Sequence, residues 1–256
     1  EVPDSLIRRD FLLVSRIAGV PANIGGFISA GTSVGERLVR WEKNGERIVL
    51  RSVSVNAVAA DSLPIALSVA SNNIGAILAV FPVQAYGRAG GRDSATAVIE
   101  VTEFFSGDTP TLSGLSAAQR RTYQVRRLDP ARSIIGTVRS FPLNVEVRHT
   151  QTFDAAEPPG DARGGALSLE MRQSLVLLPR TPMRARFADA RVGFFTVDHV
   201  NYGLDEQKAT TETFIRRWSL EPKDPAAYAR GELVEPVKPI VYYLDPATPV
   251  KWRSYM

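Results

Sequence analysis

The chain contains no cysteine. Disulfides, thiolate nucleophiles and Cys-type zinc ligation are therefore excluded, while the redox compartment is left open. Histidine is nearly absent too: His149 and His199 are the only two. Zinc needs three or four ligands, so these two could contribute only if the fold joins them to an acid such as Asp198 or Glu146. No stretch of eighteen apolar residues exists, so no helical transmembrane segment is expected. Lysine is scarce: five of the 31 basic residues are Lys, leaving 26 Arg, for a net charge of +4 over 256 residues. That excess is too small and too dispersed to argue for nucleic acid, which needs cations gathered on one face. The tightest cluster, Arg120-Arg121 with Arg126-Arg127, is explained equally well by a solvated helix and its exit. The chain opens EVPDSL, with neither an initiator Met nor a signal sequence, which suggests a processed product or a piece of something longer.

What remains is an ordinary globular composition, 44% hydrophobic and 23% charged with a mean hydropathy of −0.07, far from the disordered extreme. Phe11–Ile17 is the first apolar strand candidate. Leu38–Lys43 and Arg47–Val55 flank Asn44-Gly45, a pair suited to a type I′ hairpin turn. Ile77–Tyr86 and Ala95–Val101 form a second expected hairpin joined by GRAGGRDS, with Pro82 arguing for an edge or a bulge. Ser116 to Gln119 fits the capping-box pattern, so a short helix should run to about Tyr123. From Asn144 the strands return. In ALSLEMRQSLVLL, Leu167, Leu169, Met171, Leu175 and Leu177 share one parity and Ser168, Glu170, Arg172 and Ser174 the other, which predicts one buried and one solvated face. Residues 192–199 and 210–220 look like a further long hairpin. About ten strands without alternating long helices predict an all-β fold, a mainly antiparallel sandwich or barrel-like sheet with one or two short helices.

Composition shifts near residue 220. Residues 221–237 hold Pro222, Pro225 and Pro236, with Asp224-Pro225 opening a helical turn. Tyr228 and Leu233 suggest a linker ordered against something rather than a free tether. Residues 238–256 then read as a new start: the β-prone Pro239–Leu244, a break at Asp245-Pro246, and Thr248-Pro249 poised to begin a helix. Only eight residues remain from Pro249 to Met256, and so short a helix is marginal by itself.

Few constellations carry chemistry. Gly31-Thr-Ser33-Val-Gly35 matches the nucleophile elbow G-x-S-x-G, but the elbow needs a strand turning into a helix, and here a hairpin follows. A glycine-rich loop is the better reading. GRAGGR lacks the Gly-Lys-Ser/Thr of a phosphate-binding loop. His149 shares parity with Val145 and Val147, as expected of a core histidine bonded to a neighbour. Asp189 and Arg191, with Arg184 and Arg186 before them and Phe194-Phe195 after, mix guanidinium donors with aromatic surface, as interfaces often do; a loop whose arginines are simply solvated is the alternative.

Several stretches taken together resemble a known family: FLLVSRIAGVPANIGG, LPIALSVASNNIGAILAVFPV, FPLNVEVRHTQTF, LSLEMRQSLVLLP, RVGFFTV and RRWSLEPKDPAAYARGELVEPVKPIVYYLDPATPVKWRSYM. The resemblance is to the domain of unknown function that precedes the catalytic domain in bacterial zincin-type, zinc-dependent metalloproteases. It implies that residues 1–220 are a β-rich non-catalytic domain, 221–237 an ordered linker, and 238–256 the first strand and the start of the first helix of a truncated catalytic domain. The family's H-E-x-x-H motif is absent, since Thr150 follows His149 and Val200 follows His199. No catalytic or metal residue carries over, and zinc is expected only in the parent's catalytic domain. The implied partners are that downstream domain and the parent's peptide substrate, in an exported setting. Function is then expected to be accessory: packing on and shaping the catalytic domain, with Arg184, Asp189, Arg191, Phe194 and Phe195 as its interface. The alternatives are an independent peptide- or glycan-binding β module, a proregion-like inhibitor, or an enzyme acting through Ser33 or the two histidines.

Overall fold

The computed structural model describes residues 1–88, 95–160, 164–205 and 208–253. Ten strands make one curled, antiparallel half-barrel. They are β1 (Val2–Pro3), β2 (Asp10–Gly19), β3 (Ser33–Asn44), β4 (Arg47–Ser52), β6 (Ile77–Arg88), β7 (Ala95–Ile99), β8 (Val125–Leu128), β9 (Ile134–Ser140), β10 (Asn144–Ala155) and β11 (Ala166–Leu177). The order across the sheet is β1-β7-β6-β4-β3-β2-β11-β10-β8, and β9 also pairs with β10. A smaller sheet joins β5 (Ala57–Val58), β12 (Thr196–Asn201) and β13 (Thr210–Ile215) in the order β13-β12-β5, with β5 parallel to β12.

The expected all-β fold is present. Among the described residues there are five short helices: α1 (Ile65–Asn72), α2 (Thr102–Ser106), α3 (Ala117–Thr122), α4 (Pro225–Ala229) and α5 (Val250–Arg253). The sequence pointed to α3 through its capping box, which is fully formed, and to α4 through Asp224, whose carboxylate accepts from the Ala226 and Ala227 amides. It missed α1 and α2, which have no side-chain cap to announce them. The first hairpin is as expected, but its two-residue loop is Gly45-Glu46 rather than Asn44-Gly45. Only Gly45 has positive φ, at 57°, which suits a turn with glycine in the first central position. Beside Pro82 the β6–β7 register slips between Val83 and Ala85, the expected bulge, while residues 89–94 of the connecting loop lie outside the described residues.

Register shifts also occur in the β2–β3, β2–β11, β9–β10 and β8–β10 pairings. Such bulges bend a strand and increase its twist, which suits a sheet curled into a half-barrel. The concave face is buried according to strand parity: Leu167, Leu169 and Met171 on β11, Phe153 on β10, Leu13 and Ile17 on β2. Two apolar clusters result, one around Trp41, Leu50 and Phe81, the other around Phe153, Leu167 and Met171. Each such side chain contributes roughly 1.5–3 kcal/mol by leaving water.

Gln173 interrupts the apolar parity of β11, and Ser15 interrupts that of β2 directly across from it. Both are buried, as are His149 and Gln151. This polar seam exists because the segment from α2 to α3 lies over the concave face as irregular backbone, and buried carbonyls need donors. Gln173 Nε2 donates to Leu112 O at 3.1 Å and Gln151 Nε2 to Gly107 O at 3.2 Å. The segment sits so close that a Cβ on Gly114 would stand 2.6 Å from Met171 Sδ. Arg120 secures it, donating to both Asp108 oxygens at 2.6 and 2.8 Å and to Ser113 Oγ at 2.9 Å, with its guanidinium 4.9 Å from the Phe153 ring centre. The solvated-helix reading of Arg120 is corrected accordingly.

Candidate functional site

Ser33 begins β3 and leads into a strand, so no nucleophile elbow forms. It lines an open cavity of about 660 Å³ with Asp108, Ser113 and Arg120, and neither histidine lines that cavity. Asp108 is already engaged by Arg120, so the cavity holds no Ser-His-acid arrangement.

The two histidines lie in different sheets, on β10 and β12. His149 is a buried core residue, as its parity predicted. Gln173 Oε1 accepts from Ser15 Oγ at 2.5 Å, so its amide nitrogen, 3.0 Å from His149 Nε2, is the donor and the ring nitrogen the acceptor. That makes His149 neutral with its proton on Nδ1, and burial lowers its pKa to about 4. His149 Nδ1 and Gln151 Oε1 are buried without a hydrogen-bond partner among the described residues.

His199 opposes Glu212 across the β12–β13 ladder, with Nε2 2.7 Å from Glu212 Oε2. Asn201 Nδ2 donates to the same oxygen at 2.9 Å, and Phe214 packs at 4.9 Å from the imidazole. The bond from His199, then that from Asn201, holds the Glu212 carboxyl below its ordinary range. Sequence reading named Asp198 as a possible companion and missed Glu212, whose opposition to His199 is set by register. An oriented imidazole acts as a general acid or base only toward a group within hydrogen-bond reach. Among the described residues no group of three or more His, Asp or Glu is placed to hold a metal ion. His199 and Glu212 are two groups, short of the three or four ligands that zinc takes.

The proposed interface residues lie in the segment that leads into β12. Phe187 bridges to Phe214 with stacked rings 5.0 Å apart, Ala188 N bonds Thr213 O, and Arg216 N bonds Phe195 O. Arg186 to Ala188 thereby pair with one edge of β13, and Phe195 continues β12 along the other. Asp189 and Arg191 form a closed local unit: Arg191 Nε and Nη2 donate to the two carboxylate oxygens at 2.9 and 2.6 Å, and the Arg191 amide to one of them at 3.0 Å. The Arg191 guanidinium, then its backbone amide, lower the Asp189 pKa to about 2. Arg184 is exposed, and its carbonyl accepts from Arg217 Nη2. Phe194 and Phe195 are both exposed, Phe195 to 86%, alongside exposed Phe187, Val192, Val197 and Trp218.

A second apolar exposure lies at the end of the chain. Residues 221–237 close on themselves, with Lys223 N bonding Glu235 O, Val237 N bonding Glu221 O and a Lys223–Glu235 ion pair at 2.7 Å. Tyr228 and Leu233 are exposed, and these bonds hold the stretch together. Pro239–Leu244, expected to be a strand, belongs to no strand among the described residues, and Tyr243 is 91% exposed. The turn beyond it does form, with Asp245 accepting from the Ala247 and Thr248 amides before α5.

Residues 31–223 match the model of a family described as a domain of unknown function (DUF5117). No curated protein and no solved structure matches the chain.

Proposed function

The chain belongs to the DUF5117 family, described as a domain of unknown function, and from the sequence resemblance set out above we propose that it is a non-catalytic accessory region of a bacterial, exported zinc-dependent metallopeptidase. In this role it packs on the catalytic domain downstream in the same polypeptide and shapes that domain's peptide-binding cleft. The observation that carries the reading is the apolar surface along the small sheet, where Phe187, Phe194, Phe195 and Val192 stand in solvent. Aromatic residues are favoured at the buried centre of an interface. Val241, Tyr242 and Tyr243 give secondary support, since a β-prone segment outside any strand fits one that completes its sheet with a following domain. Zinc belongs in this reading to the catalytic domain.

The test compares backbone hydrogen exchange in this chain alone and in the longer polypeptide. Protection of residues 187–197 and 240–244 only in the longer protein is expected, and unchanged exchange in both stretches defeats the proposal. Stoichiometric zinc on this chain alone, or peptide hydrolysis by it that is lost in His199→Ala, would equally overturn it.

A further inference from the structure

Away from the small sheet, the convex face of the half-barrel carries a row of arginines that face one another. Arg16 on β2 pairs with Arg172 on β11, and Arg172 pairs with Arg148 on β10. Arg139 on β9 stands opposite Glu146, two residues from Arg148 on the same face. Strands lie about 4.8 Å apart, so the row extends over roughly 14 Å. The four arginines, with Thr137 and Glu146, line an open cavity of about 450 Å³. Like charges directly opposite one another destabilise a sheet, and all four positions are exposed, where no packing demand selects arginine. Compensation is partial. Arg172 Nε donates to Glu146 Oε2 at 2.9 Å and Arg148 pairs with Glu170, while Arg16 and Arg139 meet no carboxylate within ion-pair distance among the described residues.

The row ends at an open edge. Among the described residues β9 pairs with β10 alone, and Ile134, Val138, Phe141 and Leu143 on it or just past it are exposed. An exposed apolar edge strand is a template for another strand. A small anion or a nucleic acid would use the arginines and leave this edge unused. An extended peptide can use both, because side chains alternate faces and every second residue can reach the cations.

We propose that β9 accepts an extended acidic peptide as an added strand, its carboxylates meeting Arg139 and Arg148 while its backbone completes the edge. This does not depend on the accessory-domain reading, since it uses none of the same residues.

The probe is a labelled peptide the length of β9 alternating glutamate and valine, followed by fluorescence anisotropy. Saturable binding is expected, weakened about tenfold or more by Arg139→Glu or Arg148→Glu, with circular dichroism confirming that each variant folds. A lysine–valine peptide should not bind, and N-methylating alternate amides of the acidic peptide should abolish binding. Affinity unchanged in both arginine variants overturns the proposal. So does equal binding of the N-methylated peptide, or binding of polyphosphate or single-stranded DNA in the absence of peptide binding.

Discussion

On β11 of the large sheet Leu167, Leu169 and Met171 are sealed from solvent, whereas no residue of β12 or β13 is buried and Phe187 and Phe195 beside them face water. Both regions are antiparallel ladders rich in β-formers, so propensity does not separate them. The large sheet brings its own cover, the segment from α2 to α3, and supplies Gln151 and Gln173 to satisfy that cover's carbonyls. Among the described residues nothing comparable lies over the small sheet. A sheet that is covered is a core, and one that is not is a surface awaiting contact.

The contrast breaks first at Phe153, which is 0% exposed and supports the Arg120 clamp. Phe153→Ala should cost about 3–5 kcal/mol in urea unfolding, and a loss below 1 kcal/mol, on that same scale, would mean the concave face is not the main core. Next comes the seam. The unfolded chain protonates His149 near pH 6.5 and the folded chain only near 4. Its contribution is therefore fully present above pH 6.5 and is lost as the pH falls through 4, by about 3 kcal/mol. Equilibrium unfolding from pH 7 to 4 should show that extra fall in the native protein and not in His149→Gln. The smallest effect belongs to the small sheet: Phe195→Ser should change the stability of this chain by no more than about 0.5 kcal/mol. A loss as large as that at Phe153 would show the small sheet to be as finished as the large one.

Much of this was legible in the chain itself. The alternation in residues 166–177 places β11 and its buried face, Asn44-Gly45 locates a hairpin to within one residue, Ser116 and Gln119 mark α3, and the parity of His149 identifies a core histidine. All rest on interactions within a strand, a turn or a cap. Gln173 was not legible as a core residue, because its reason is a carbonyl at Leu112, sixty-one residues away. Glu212 was missed beside His199 for the same cause: opposition across a ladder depends on register. The expected strand at Pro239–Leu244 shows the converse, since β-propensity without a pairing partner makes no strand.

Local chemistry, then, settles which segments become strands, where chains turn and which parity is apolar, because those preferences are encoded within a few residues. Assembly alone settles which sheet is covered, which polar groups meet inside it, and that Arg16, Arg148 and Arg172 stand in one row. Each of those depends on register between strands far apart in sequence, and register is a property of the folded whole.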